Sequence, residues 1–201
     1  MKILNLYSGI GGNRHLWGDE HEITAIEINS DIASEYKYKF PNDKVIVTDS
    51  HQYLLHHYKE YDFIWSSPPC PSHSRLCYSQ NEKKYAEMTL YQQIILLKNW
   101  SKCIYVIENV IPYYEYLIEP SIIIGRHPYW SNFKIETLEV KNIDVSRSTK
   151  EELSKYLEMP IPRINASLLL RNSVEPKVGK HILDCAVKNY NHQNVKQNKL
   201  F

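Results

Sequence analysis

The sequence predicts an α/β protein with a mostly parallel central sheet and helices on both faces. Short apolar runs alternate with stretches of helical spacing over the first 110 or so residues, which is the signature of a parallel sheet covered on each side. Unusual polar clusters fall where those runs end, at the carboxyl edge where open α/β sheets bind ligands. A chain of 201 residues with 43% hydrophobic content can bury one good core, and at roughly 150 residues per domain little is left for a second.

The first strand is expected at Lys2–Tyr7, ending at the small-residue turn Ser8-Gly9-Ile10-Gly11-Gly12, after which Asn13–Trp17 opens a helix. A second strand at Ile23–Ile28 leads to a helix capped by Ser30-Asp31 and running through Ala33, Tyr36 and Phe40. Lys44–Val47 gives a third strand, closed by Thr48-Asp49-Ser50, and helical spacing resumes over Tyr53, Leu54 and His57. The fourth strand, Tyr61–Ser66, stops at Ser67-Pro68-Pro69-Cys70. Pro71–Glu87 is polar and poorly periodic, a long loop of the kind usually kept for function. Met88–Trp100 is an amphipathic helix, and Cys103–Ile107 a fifth strand ending at Glu108-Asn109-Val110. Ser121–Ile124 and Asn132–Val140 are further strands, Asp144–Leu157 a short helix or loop, and Val174–Tyr190 a terminal helix. Neither an internal repeat nor a low-complexity block appears.

Composition narrows the function classes. No run of roughly 18 apolar residues occurs, and the N-terminus enters a strand pattern without signal-peptide regions, so a soluble, cytoplasmic protein with no membrane partner is expected. Cys70, Cys77, Cys103 and Cys185 are irregularly spaced and do not suggest a disulfide framework; a special cysteine would be special for its reactivity. The net charge of +1 gives no electrostatic case for a nucleic-acid partner. From Arg171 to Phe201 six basic residues face two acidic ones, which suits a solvated helix face as well as a phosphate-binding surface.

The chemistry-bearing residues lie at strand ends. The Ser8 to Gly12 turn lets a ligand approach the backbone, Glu27 can hold the hydroxyls of a ribose, and Asp49 can accept from an adenine amine. Singly these are a common turn and two ordinary helix caps; in strand order they specify an adenosine-containing cofactor. Pro68-Pro69 stiffen the approach to Cys70 and place its sulfur at the mouth of the cleft, where an amide-rich loop start favours thiolate. Cys103 and Cys185 are expected to be buried structural thiols. A zinc site at Cys70, His73 and Cys77 has tolerable spacing but lacks an evident fourth ligand, so no metal is expected. Glu108 brings a carboxyl group beside the cysteine. Carbon 5 of cytosine is a poor nucleophile, but thiolate addition to carbon 6, helped by an acid at ring nitrogen 3, turns it into an enamine carbon that attacks a methyl donor.

These motifs resemble the cytosine carbon-5 DNA methyltransferase family. Asn5 to Gly12 (NLYSGIGG) is similar to the family's DLFAGIGG cofactor motif, Pro68-Pro69-Cys70 to its nucleophile motif, Glu108-Asn109-Val110 to its Glu-Asn-Val, and Arg171-Asn172-Ser173-Val174 to its late Gly-Asn-Ser-Val. The resemblance implies a Rossmann-like, class I S-adenosylmethionine-dependent methyltransferase fold. It also implies a cofactor pocket of Tyr7, Ser8, Gly9, Gly11, Gly12, Glu27, Ile28, Asp49, Pro69, Asn172, Ser173 and Val174, with Tyr7 against the adenine. Cys70 would be the covalent nucleophile and Glu108 the group at the target base, in duplex DNA with the cytosine flipped from the stack.

Departures qualify the match. Pro71 stands where the family has glutamine, and of the arginine-rich motif only Arg126, in Gly125-Arg126-His127, offers a base-contacting arginine. About 45 residues separate Arg126 from Asn172, so 127–170 is a short region in place of a target-recognition domain. Sequence reading would then come from short loops or a partner chain. Such compact members are similar to those of bacteriophages, which implies a bacterial or phage-infected cytoplasm and a place in DNA methylation and restriction-modification. Three alternatives stay open: an exocyclic-amine methyltransferase sharing Ser67-Pro68-Pro69, a non-catalytic subunit of a split enzyme, and an RNA substrate.

Overall fold

The computed structural model describes residues 1–74, 85–141 and 143–198, with side chains through residue 192. Among these residues the sheet has seven strands, β1 (Lys2–Leu6), β2 (Glu22–Glu27), β3 (Lys44–Val47), β4 (Phe63–Ser66), β5 (Ile104–Glu108), β6 (Ile122–Ile124) and β7 (His127–Ser131), in the order β3-β2-β1-β4-β5-β7-β6. The first five are parallel and β7 is antiparallel to both neighbours. The order reverses between β1 and β4, so the carboxyl ends of these two strands flank the crevice where such sheets bind ligands. The fold is the expected α/β arrangement, a mostly parallel sheet with the strand order of the Rossmann-like class I methyltransferases.

Strand periodicity divides the core. Ile3, Phe63, Trp65, Ile104 and Val106 face Val178, Ile182, Leu183 and Ala186 of α6 (Pro176–Asn198). Leu4, Leu6, Ile64, Tyr105 and Ile107 point the other way, onto Leu54 of α2 (Ser50–His57) and Leu90, Ile94 and Leu97 of α3 (Thr89–Trp100). Each such side chain, fully buried, contributes about 1.5–3 kcal/mol relative to exposure. A third cluster packs Ile10 of the glycine turn against Leu153 and Leu157 of α4 (Lys150–Leu157) and Leu169 and Leu170 of α5 (Ala166–Arg171).

Four expectations are corrected. Asn13–Trp17 forms a series of turns, with His15 and Trp17 donating to carbonyls three residues back, and no helix follows β1. Tertiary contacts take these side chains: Asn13 pairs with Asn5, buried Arg14 forks onto Asp43 at 2.9 and 3.0 Å, and Trp17 donates to the Gly179 carbonyl. α1 (Ser30–Lys39) is capped by Asn29, whose side chain accepts from Asp31 and Ile32, and not by Ser30-Asp31. The stretch 132–140 is not a strand. Phe133 and Ile135 are buried in alternation, which imitates one, but the Asn132 side chain accepts from the Tyr105 amide and donates to the Cys103 carbonyl, taking the ladder positions beside β5 and ending β7. The strand lies earlier, at 127–131, because Gly125 at φ +59 begins a two-residue hairpin turn with Arg126 between Ile124 and His127. The region 127–170 therefore opens with a strand of the main sheet, and α5 was not foreseen at all.

Candidate active site

β1 delivers the chain into a turn that only unusual backbone can make. Tyr7 has φ +54 and is held there by its amide donating to Ser50 Oγ at 3.1 Å; Gly9 and Gly11 have φ +52 and +76. A Cβ on Gly9 would meet no atom within 4 Å, whereas one on Gly12 would lie 2.5 Å from the Val174 carbonyl and 2.9 Å from Ser173 Cβ. The late motif thus returns onto the glycine turn: Ser173 and Val174 touch Gly12, while Asn172 caps α5 with its side chain exposed. Glu27 is buried at the end of β2, one carboxylate oxygen accepting from the Gly9 amide at 3.0 Å and the other from Asn29 at 2.9 Å. Each oxygen keeps a further lone pair for a hydroxyl group. Ile28 follows, 66% exposed.

Tyr7, Asp49 and Pro69 come together, with His51, Gln52, Glu87 and Thr89, around a cavity of about 230 Å³. Asp49 is the N-cap of α2, accepting from the Gln52 amide at 2.7 Å, so it serves as a cap while also lining the cavity. Two buried polar atoms here have no partner, Ser8 Oγ in the turn and His51 Nδ1 on the cavity wall. Unmet buried groups beside an open glycine turn fit a polar, adenosine-bearing ligand.

At the end of β4, the Trp65 indole donates to Ser67 Oγ and Asn109 Nδ2 donates to the Pro68 carbonyl at 3.0 Å, tying the nucleophile turn to the strand bearing Glu108. The Cys70 carbonyl accepts from the His73 and Ser74 amides, both at 3.0 Å, and Ser74 bridges to Pro112. Cys70 is half-buried. The expectation of a ready thiolate is corrected: burial pushes the thiol up from its ordinary range, the charge of Glu108 pushes further, and the residue's own amide only partly offsets them. The Asn109–Pro68 hydrogen bond sets the Cys70 turn beside the end of the strand that bears Glu108. Cys103 and Cys185 are buried as expected.

Glu108 is buried at the end of β5, in register with Tyr129 of β7. The group beside it is His127, whose Nε2 lies 3.7 Å from Glu108 Oε1. Arg126 is exposed in the hairpin turn and lines a second cavity, of about 90 Å³, with Tyr156, Arg171 and Glu175; neither Cys70 nor Glu108 lines it. The structure thus ties the Cys70 turn to the strand bearing Glu108, sets His127 beside Glu108, and places Arg126 in the exposed hairpin turn. Of the zinc alternative, His73 is buried with its Nδ1 2.5 Å from the Tyr114 hydroxyl, and Cys77 lies outside the described residues. Lysines of the basic C-terminal stretch are partly spent on ion pairs, Lys177 with Glu158 at 2.6 Å and Lys180 with Asp184.

Sequence reasoning missed His51, His127 and Gln93. Gln93 is fully buried on α3, donating to the Tyr7 hydroxyl at 2.8 Å and accepting from Ser66 Oγ at 2.6 Å, so it links the ends of β1 and β4. A polar residue on the apolar face marked by Leu90, Ile94 and Leu97 was the available signal.

The family model of the C-5 cytosine-specific DNA methylases matches residues 1–112, more than half the chain. The chain is 36% identical over 80 residues to a Spodoptera frugiperda tRNA (cytosine(38)-C(5))-methyltransferase, covering 37% of this chain and 24% of that protein. To the human protein of the same name it is 29% identical over 82 residues, 38% of this chain and 21% of the relative. The chain thus spans about a fifth to a quarter of the length of the curated relatives it matches. Among solved structures it is similar to a Spodoptera frugiperda DNMT2 mutant, at 30% identity and TM-score 0.38, covering 54% of this chain and 35% of that one. It is also similar to the Entamoeba histolytica methyltransferase EhMeth, at 16% identity and TM-score 0.45, covering 78% and 66%. S-adenosylmethionine is the methyl donor, and the glycine turn with Ser8, Glu27 and the cavity beside Tyr7 are the features that suit it. The match over residues 1–112, which takes in the glycine turn, Cys70 and Glu108, places this chain in the C-5 cytosine-specific DNA methylase family.

Proposed function

We propose that the chain methylates carbon 5 of cytosine in DNA through a covalent Cys70 adduct. The observation that carries this reading is the half-buried Cys70 on a turn that Asn109 ties to the end of the strand bearing Glu108, with the neighbouring Pro69 lining the cavity beside Tyr7. Cys70 loses its proton and its sulfur bonds to carbon 6 of the flipped base; the ring electrons shift to nitrogen 3, which takes a proton from Glu108. The donor supplies an electrophilic methyl group. Carbon 5 attacks it and then loses its hydrogen to solvent as a proton, nitrogen 3 returns its proton to Glu108, and the sulfur–carbon bond breaks to restore the ring double bond. Asn109 keeps the Cys70 turn and the Glu108 strand in fixed relation throughout. Residues 132–165, between β7 and α5, stand in place of a recognition domain, with further reading supplied by a partner chain.

An RNA substrate is the second reading, favoured by the curated relatives named as tRNA methyltransferases. Labelled methyl transfer from S-adenosylmethionine to duplex DNA and to RNA, with Cys70→Ala in parallel, tests both. We expect product at carbon 5 of cytosine in DNA, none from Cys70→Ala, and a trapped adduct on 5-fluorocytosine DNA. Product in RNA alone would transfer the reading to that polymer. Methylation of an exocyclic amine, or undiminished activity in Cys70→Ala, would overturn it.

A further inference from the structure

A carboxyl group that must give a proton to a base needs a route for recovering it, and the Glu108 side chain is only 11% exposed. His127 provides one. Glu108 stands opposite Tyr129 in the antiparallel β5–β7 pair, so His127, two residues before Tyr129, is its diagonal neighbour on the same face. Such neighbours reach one another only through long side chains, and here they do, with Nε2 3.7 Å from Oε1. The imidazole is 38% exposed, so it spans from the buried carboxyl group to water. Arg126, in the turn before it, is exposed; both residues line the second cavity, but the one that lies against Glu108 is His127.

We propose that His127 is the positioning and proton-relay residue for Glu108, an inference that rests on reading Glu108 as the acid at the target base. Histidine is the side chain whose charge changes near neutral pH, which suits it to pass protons between solvent and a carboxyl group. The imidazolium gives its Nε2 proton to Glu108 Oε1. Glu108 passes that proton to nitrogen 3 as the Cys70 sulfur adds, takes it back as the sulfur leaves and returns it to the His127 ring, so both residues end the cycle in their starting states. The separation of 3.7 Å closes when the base fills the site, as catalytic contacts commonly tighten on binding.

The groups facing the ring are known. The charged groups beside the ring are Glu108 on β5 and Arg126 in the adjoining turn. Across the second cavity stand Lys141, Tyr156 of α4, Arg171 of α5 and Glu175 ahead of α6. Tyr156 donates to Glu175 at 2.6 Å and so draws that carboxylate away from the ring.

The test is the pH profile of kcat and KM for methyl transfer by the unaltered chain, His127→Gln and His127→Arg. His127→Gln is expected to lose roughly a hundredfold in kcat with little change in KM for S-adenosylmethionine, and to lose the limb of the profile nearest neutrality. His127→Arg, which keeps the charge but cannot titrate there, is expected to bind the polymer normally and still lack that limb. A His127→Gln variant with unaltered kcat and profile overturns the proposal while leaving the methyltransferase reading intact. An independent readout needs no turnover: NMR titration of the His127 ring in the unaltered chain and in Glu108→Gln. The charged ring is expected to persist to higher pH where Glu108 is present; identical titrations sink the relay. If the unaltered chain transfers no methyl group to DNA or RNA, the proposed function fails, and the titration still decides whether the two side chains are coupled.

Discussion

Burial first and the charge of Glu108 second push the Cys70 thiol above its ordinary range. A cysteine in this state is protected from adventitious oxidants and becomes nucleophilic only when something removes its proton. Alkylation of Cys70 by iodoacetamide, followed by peptide mapping, should therefore be slow near neutral pH and quicken about tenfold per pH unit through the ordinary thiol range. Glu108→Gln removes one of the two causes that raise the thiol, so its alkylation should be several-fold faster than in the unaltered chain at the same moderately alkaline pH. A rate independent of pH in both proteins would refute this account. The place of this residue, at the end of a strand beside the one bearing Glu108, was legible from Pro68-Pro69-Cys70 and Glu108-Asn109-Val110. The upward push on its thiol was not, because that depends on burial by the fold and on a charge 38 residues away in the sequence. Arg126 and His127 teach the same lesson: adjacent in sequence and both lining the second cavity, they differ in that Arg126 is exposed in the hairpin turn while His127, at the start of β7, comes within 3.7 Å of Glu108.

Among the elements, α3 carries more than its apolar face. Gln93 joins the hydroxyl of Tyr7, in the glycine turn, to that of Ser66, at the end of β4, so one buried amide holds the two strand ends that flank the cleft. Replacing it with leucine would leave two hydroxyl groups without their buried partner, at about 1–3 kcal/mol. Gln93→Leu is expected to lower the urea midpoint accordingly and to weaken S-adenosylmethionine binding several-fold by calorimetry, since Tyr7 lines the cavity. Loss of stability with unchanged affinity would confine Gln93 to the core and remove it from the site. The parallel strands were readable as elements because their apolar runs are continuous and bounded by turns. The stretches at 13–17 and 132–140 were misread because helical spacing and alternation are necessary for those elements but not sufficient. Arg14 and Trp17 are claimed by distant partners, and Asn132 takes the hydrogen bonds that a further strand would need.

Across the whole molecule, the first turn and the last helix close on each other. A Cβ on Gly179 of α6 would lie 2.4 Å from the Asn13 carbonyl oxygen, and the Trp17 indole donates to the Gly179 carbonyl at 3.0 Å. Gly179→Ala must push backbone from backbone, and is expected to cost about 1–3 kcal/mol as overpacking does, against the small helix gain that alanine brings. Urea denaturation measures it, and a midpoint at or above that of the unaltered chain would show that the contact gives way freely. The same closure seats Ser173 and Val174 on Gly12, which completes the donor side of the site from opposite ends of the chain. The amino-acid sequence alone determined the parallel α/β sheet and the places of the glycine turn, the proline-stiffened cysteine and the strand-end carboxylate, because each is written in a local pattern. Only the tertiary structure decided that burial and Glu108 raise the thiol, that His127 lies beside Glu108, and that Gln93 joins Tyr7 to Ser66. Those outcomes depend on burial and on distances between residues far apart in the chain, which no local pattern encodes.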